Sequence, residues 1–144
     1  RGQADGLRRL CREGFGENGR YDDDLAHTTR SQLGAAMALL TQAAQPGEVA
    51  DLLDEMTACS LEESEGMVLA SPFMHHYVFA ALGENGRFSD IITIIRHRWG
   101  QWAEQGCPTT WENWSVDFPD GSQCHAFSAH PRYHLAQIFN QETP

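Results

Sequence analysis

Residues 107–131 read CPTTWENWSVDFPDGSQCHAFSAHP, a stretch whose residue types could do chemistry together. Glu112 sits between Trp111 and Trp114, and His125 follows thirteen residues later among small and aromatic neighbours. A carboxylate approached by indole rings loses hydration, which raises its pKa toward the range where it accepts a proton near neutrality. Tryptophan also offers a flat apolar face that suits the C–H side of a sugar ring. A carboxylate beside aromatics in an irregular loop is therefore what a glycosidase needs. The same residues fit a plainer arrangement, in which the acid caps a backbone amide and the tryptophans anchor a core.

Other candidate groups carry less. His130 and His134 are one helical turn apart, a spacing that permits a metal site. Pro131 lies between them and no H-E-x-x-H signature accompanies them, so no metal or cofactor is expected. His75 and His76 stand together in an apolar segment. Adjacent residues on a helix point about 100° apart, so at most one of them faces a given site. His76 is taken as the one lining a cavity, with an imidazole bonded to a nearby carbonyl as the plainer reading. Asp22-Asp23-Asp24 lacks the rest of a calcium loop and reads as a solvated acidic turn. No phosphate loop, nucleophile elbow or dinucleotide fingerprint is present.

The elements that must position these groups read as helices. Leu7 and Leu10 mark a short amphipathic helix over 3–13, broken from Gly14 to Gly19. Leu33, Ala36, Met37, Leu40 and Ala44 recur at helical spacing over 27–44, and Pro46-Gly47 ends that run. Val49, Leu52, Leu53 and Met56 repeat the pattern over 48–58, and Gly66 falls in a loop. Ser71-Pro72 is a helix-start signal for the nearly all-apolar PFMHHYVFAAL, which should be buried and capped by Gly83 or Gly86. Over 89–102, Ile91, Ile94, Ile95, Trp99 and Trp102 share one side, with Arg96 and Arg98 elsewhere. Residues 107–123 are irregular, and a last helix covers about 125–140, started or kinked by Pro131. No strand is expected. The reading is all-α, with stacked helical hairpins. GENGR at 16–20 returns at 83–87, either as a shared turn solution or as the trace of a degenerate hairpin repeat.

Composition narrows the class. The chain is 41% hydrophobic over 144 residues, enough for the core of one domain or part of one. Its net charge of −10 argues against nucleic-acid phosphates and anionic membranes as partners and suits a neutral or cationic ligand. No apolar run approaches the roughly 18 residues of a membrane helix. The chain opens Arg1-Gly2-Gln3-Ala4-Asp5, without a starting methionine or an apolar leader, as expected of a processed chain or a piece of a longer one. Localisation is therefore open between cytoplasmic and secreted or periplasmic. Cys11, Cys59, Cys107 and Cys124 are widely spread and read as reduced thiols, with neither a zinc ribbon nor a disulfide framework.

The segments SPFMHHYVFAALGENGRFSDIITIIRHRWGQWAEQGCPTTWENW and SQCHAFSAHPRYHLAQI together resemble the C-terminal end of bacterial α-L-rhamnosidases of glycoside hydrolase family 78. The family pattern has a buried helix after Ser/Thr-Pro, an outer helix ending in Trp-Gly, a Thr-x-Trp-Glu-x-Trp loop, and a Ser-x-Cys-His-x-aromatic-Ser helix. Here these are Ser71-Pro72, Trp99-Gly100, Thr109 to Trp114, and Ser122 to Ser128. GRYDDDLAHTTRSQLGAAMALL resembles the preceding hairpins more loosely.

The resemblance implies an (α/α)6 barrel, six helical hairpins in a ring, of which residues 1–144 would be about half. It implies an inverting hydrolase releasing rhamnose, with Glu112 as the general base. By the same resemblance His125 lies near the bound sugar, and Trp111 and Trp114 lie beside the base. Phe127 and His76 complete the set of substrate-binding candidates. Inversion needs a second carboxyl roughly 6.5–9.5 Å away. The family's acid comes from an Arg-containing acidic loop earlier in the barrel, and Asp22 to Asp24 lack its surroundings. The chain alone would then be inactive and would complete its core with the rest of the barrel or a second chain. An exposed apolar edge on inner helices such as 72–82 is the expected mark of that. Two other readings stand beside this one: a six-hairpin glycosidase or lyase for another sugar, and a non-catalytic helical binding or oligomerisation module.

Overall fold

The computed structural model describes residues 2–62, 66–115 and 121–141, so positions 116–120 of the irregular stretch lie outside the described residues. The elements are α1 (Gly2–Phe15), β1 (Gly16–Glu17), β2 (Arg20–Tyr21), α2 (Gln32–Leu40), α3 (Val49–Glu62), α4 (His75–Glu84), α5 (Phe88–Glu104) and α6 (Pro131–Gln141), with a 3-10 turn at Ala126–Ala129 before α6. Among the described residues the regular structure is helical apart from one tiny hairpin and an isolated bridge between Ser31 and Val68, and the chain divides into two compact units, residues 1–69 and 70–144. No described helix is long and apolar enough to cross a membrane. None of the four cysteines forms a disulfide among the described residues.

In the first unit, α1 forms where its leucine spacing places it, but none of its residues is buried. Leu7 and Leu10 are 64% and 58% exposed. Polar groups tie the helix down: Arg8 Nε donates to the Thr41 carbonyl and Arg12 Nε to the Ala43 carbonyl, each at 2.8 Å. The absence of strands is corrected here. Gly16–Glu17 pairs antiparallel with Arg20–Tyr21, and Asn18 (φ 52°) and Gly19 (φ 78°) both take the left-handed region between them. A two-residue hairpin turn of this hand needs positive φ at both central positions, and Asn-Gly supplies it at least cost.

The second GENGR takes another path. At Gly83–Arg87 it ends α4: Gly86 (φ 71°) donates to the Gly83 carbonyl at 3.1 Å and Arg87 to the Leu82 carbonyl at 2.9 Å, while Asn85 keeps φ at −102°. This is a Schellman cap. The two copies share a glycine at positive φ but close different structures, a hairpin turn at 16–20 and a helix cap at 83–87. Helix α4 runs on into the pentapeptide because its packing surface reaches Leu82, which is fully buried.

The second helix is shorter than 27–44. Ser31 Oγ accepts the Gly34 N–H at 3.0 Å and sets its start, while the Asp24 carboxylate holds the preceding turn by accepting from the amides of Ala26, Thr28 and Thr29. Its buried residues are Gln32, Ala35, Ala36, Ala38 and Leu39, so of the expected face only Ala36 is buried. The face is rotated because Gln32 goes inside. Its carboxamide donates to the Met56 carbonyl at 2.7 Å and to Ser60 Oγ at 2.5 Å, both on α3. A buried amide with its donors satisfied is compatible with a core. On α3, Leu52, Leu53 and Met56 are buried as expected.

In the second unit, α4 begins at His75 rather than Pro72. Ser71 still organises the start, since its Oγ accepts the Met74 N–H at 3.3 Å and its carbonyl the His75 N–H at 3.0 Å. Val78, Phe79 and Leu82 are fully buried, while Phe73, Met74 and Tyr77 are half-buried, so the apolar edge expected on 72–82 is partly covered within this unit. The buried stripe of α5 is Ile91, Ile94, Arg98 and Trp102. Arg98, expected on the polar side, is 5% exposed, and its guanidinium carbon lies 5.7 Å from the centroid of the Trp114 ring. The long aliphatic stem and flat head of arginine allow such a position when an aromatic face receives the charge. Pro131 opens α6 as its first residue instead of kinking a longer helix.

Candidate functional site

The loop after α5 is strapped to the segment that leads into α6. His125 N–H donates to the Thr110 carbonyl at 2.8 Å, and Thr110 Oγ1 returns a bond to the His125 carbonyl at 2.8 Å. Two residues on, Glu112 N–H donates to the Ser122 carbonyl at 2.8 Å, and the Ser122 N–H donates to Glu112 Oε2 at 3.0 Å. Thr109 Oγ1 adds a short bond to the Gln123 carbonyl. Residues 109–112 and 122–125 thus lie side by side. Glu112 and His125 are both half-buried, and the strap brings these two candidates onto one pair of segments.

The tryptophans that flank Glu112 turn inward. Trp114 packs edge-on against Trp99 at 4.8 Å and against His75 at 5.1 Å, and its Nε1 donates to the Ala70 carbonyl at 2.8 Å. Trp102 lies 5.5 Å from Trp114 and 5.7 Å from Trp111, centroid to centroid. Both rings anchor the loop on α5, and the Glu112 carboxylate holds the Ser122 amide. Phe127 is the exposed aromatic of the group, 66% accessible, with its ring 5.5 Å from His125 and 5.3 Å from Phe73. A cleft of about 460 Å³ opens beside the strap, lined by His125, Thr109, Thr110, Cys124, Trp99 and Trp102. It combines an imidazole, hydroxyls and indole surface, a lining able to take a sugar ring.

His76 does not join this loop. It faces the start of α6, where its Nδ1 lies 3.1 Å from His134 Nε2, and its ring lies 5.5 Å from that of His130. His130 bonds through Nε2 to the Pro72 carbonyl at 2.8 Å. Burial first, then the neighbouring imidazoles, lowers His134 to about 3. His130 falls to about 4, again chiefly by burial. Both rings are therefore neutral at pH 7. His75 is fully buried, bonded through Nδ1 to the Ser71 carbonyl at 3.1 Å, and pushed down to about 4 mainly by loss of hydration. The carbonyl-bonded reading thus applies to His75 and the cavity-lining one to His76, which borders a cleft with Phe79, Glu84, Tyr133 and His134.

The acidic turn carries its own partners. Asp22 Oδ2 meets His27 Nδ1 at 2.7 Å, Asp23 Oδ1 accepts the Ser31 hydroxyl at 2.7 Å, and Asp24 accepts from Thr28 Oγ1 at 2.9 Å. Sequence reasoning passed over Arg98, Trp99 and Trp102 as parts of the site. The i, i+3, i+7, i+11 ladder from Ile91 to Trp102 runs through Arg98, and that period was available to be read.

No family model matches this chain. No curated protein does either. Among solved structures, it is similar to a rhamnosidase from Klebsiella oxytoca with rhamnose bound (TM-score 0.76, 20% identity), over 94% of this chain and 28% of that one. It is also similar to the GH78 family rhamnosidase of Bacillus sp. GL1 (TM-score 0.77, 25% identity), over 95% of this chain and 16% of that one. Its fold is that of a rhamnosidase segment. The helical hairpins expected from the sequence match a segment of that fold, and the chain spans 28% and 16% of the two rhamnosidases' lengths.

Proposed function

We propose that residues 1–144 are the C-terminal part of the six-hairpin catalytic domain of an inverting α-L-rhamnosidase, about half of an (α/α)6 barrel, and that Glu112 is its general base. The observation that carries this is the strap joining Thr110–Glu112 to Ser122–His125 in a chain that shares its fold with rhamnosidases. In this reading Glu112 draws a proton from a water positioned below the sugar's anomeric carbon, and the water adds as the glycosidic bond breaks. His125 and Phe127 hold the sugar, with Trp111 and Trp114 fixing the loop and His76 further back as a cavity-lining group. The general acid comes from outside this segment. The carboxylates of Asp22, Asp23 and Asp24 are each engaged within their own turn, which supports that assignment. Leu7 and Leu10, exposed on α1, are candidates for burial against the remainder of the barrel.

The test uses an aryl α-L-rhamnoside and the whole enzyme that contains this segment. Glu112→Gln should lower kcat by about 10²–10⁴ with little change in fold, the usual worth of a general base. The isolated chain should be inactive. Full activity in the variant would remove Glu112 from the role.

One observation favours a second reading. The Glu112 carboxylate already caps an amide, and both flanking tryptophans are core anchors. That is what a non-catalytic helical module would need from the same residues. Sugar binding by the chain, lost in a Phe127→Ala variant, would favour the rhamnosidase reading over this one.

A further inference from the structure

We propose that His76, His130 and His134 form a binding site for a divalent transition-metal ion of the zinc class, which would fasten α4 to the start of α6. One ring nitrogen of each histidine lies within 4.8 Å of one nitrogen of each of the others. His134 Nε2 and His76 Nδ1 stand 3.1 Å apart. Two imidazoles on one zinc, each at about 2.0–2.1 Å and in tetrahedral geometry, stand about 3.3 Å apart. That pair already has the spacing of co-ligands. The widest separation in the cluster need close by at most about 1.5 Å, within the reach of side-chain rotation.

The third ligand is prepared by its own hydrogen bond. The Pro72 carbonyl accepts the Nε2 proton of His130, which leaves the lone pair on Nδ1. Nδ1 is buried and has no hydrogen-bond partner among the described residues. A carbonyl on the far nitrogen is the usual outer support of a metal-bound histidine, since it sets the tautomer and aims the ring. Neutral imidazole is also the form a metal takes. An all-imidazole donor set suits zinc, copper or nickel and disfavours magnesium or calcium. The adjoining cleft of about 320 Å³, lined also by Tyr133 and Gln137, leaves room for water in a fourth position.

The site is independent of the assignment of Glu112. Its test is a titration of the metal-free chain with Co²⁺ and then Zn²⁺, followed by visible absorption and calorimetry. One equivalent should bind, with d–d bands of a nitrogen and oxygen site, no thiolate charge-transfer band, and a higher melting temperature in Zn²⁺. Loss of an outer-shell partner costs about 10–100-fold in affinity, so His76→Gln, which removes a ligand at a half-buried position, should cost at least about 100-fold. His130→Gln is the second variant, and His97→Gln, on the exposed side of α5, should leave affinity unchanged. The proposal is overturned by three results: no stoichiometric binding to the parent chain, unchanged affinity in His76→Gln or His130→Gln, or a thiolate band placing the ion on cysteine.

Discussion

Glu112 and Ser122 are bonded to each other twice, through Glu112 N–H to the Ser122 carbonyl at 2.8 Å and through the Ser122 N–H to Glu112 Oε2 at 3.0 Å. The side chain proposed as the general base therefore also holds the strap that positions it. These roles separate by substitution. Glutamine keeps an acceptor oxygen for the Ser122 amide, so Glu112→Gln should leave stability within about 0.5 kcal/mol, whereas Glu112→Ala, which removes the cap, should cost about 1 kcal/mol. Urea denaturation of both variants reads the difference. Equal stability for the two would mean that the carboxylate does not hold the loop.

Three helices end in the same way, and one of them uses an unfavourable residue. Helices α4 and α5 pass into Gly86 (φ 71°) and Gly106 (φ 72°), but α2 passes into Gln42 (φ 60°). The bonds are equivalent, since the Gln42 N–H reaches the Leu39 carbonyl at 2.9 Å and the Ala43 N–H the Ala38 carbonyl at 2.9 Å. A residue with a Cβ in this region costs roughly 1 kcal/mol relative to glycine, part of which glycine returns through its freer unfolded chain. Gln42→Gly should therefore stabilise the chain by about 0.5 kcal/mol, raising the melting temperature by a few degrees. A fall in melting temperature would show that the Gln42 side chain contributes more than its backbone costs.

His75 makes stability depend on pH. In the unfolded chain it protonates near 6.5, and in the folded chain, without hydration among Phe79, Trp99 and Trp114, at about 4. Between these values the unfolded state binds more protons, so stability rises with pH. The contribution is complete above pH 6.5, is lost as pH falls toward 4, and changes no further below that. The total is about 3 kcal/mol at the outside. Urea midpoints from pH 7.5 to 4, with a chelator present throughout so that no metal contributes, should fall with acid. His75→Gln should remove part of that slope. An equal slope in the variant would assign the effect to other groups.

Much of the secondary structure was written locally. Helical spacing of apolar residues, Ser31 and Ser71 as starts, glycines as stops and Pro131 at the head of α6 are short-range signals, because a helix closes its bonds within four residues. Asn18-Gly19 is legible in the same way as a turn at positive φ, and as the strongest short hairpin signal it also implies the strand pair that the all-helical reading omits. The strap that sets Glu112 beside Ser122 and His125 beside Thr110 is not written in local spacing, since it joins residues 10 and 15 positions apart.

What the local pattern could not decide was which face of each helix turns inward and who meets whom. Gln32 is buried because Met56 and Ser60 on another helix satisfy its amide, and Arg98 because Trp114, from the following loop, lies under its guanidinium. His76 and His134 come within hydrogen-bonding distance across 58 positions of chain. By composition these residues belong at the surface, where water satisfies them. Only packed neighbours far along the chain can replace that water, so their burial and the chemistry it allows belong to the tertiary structure.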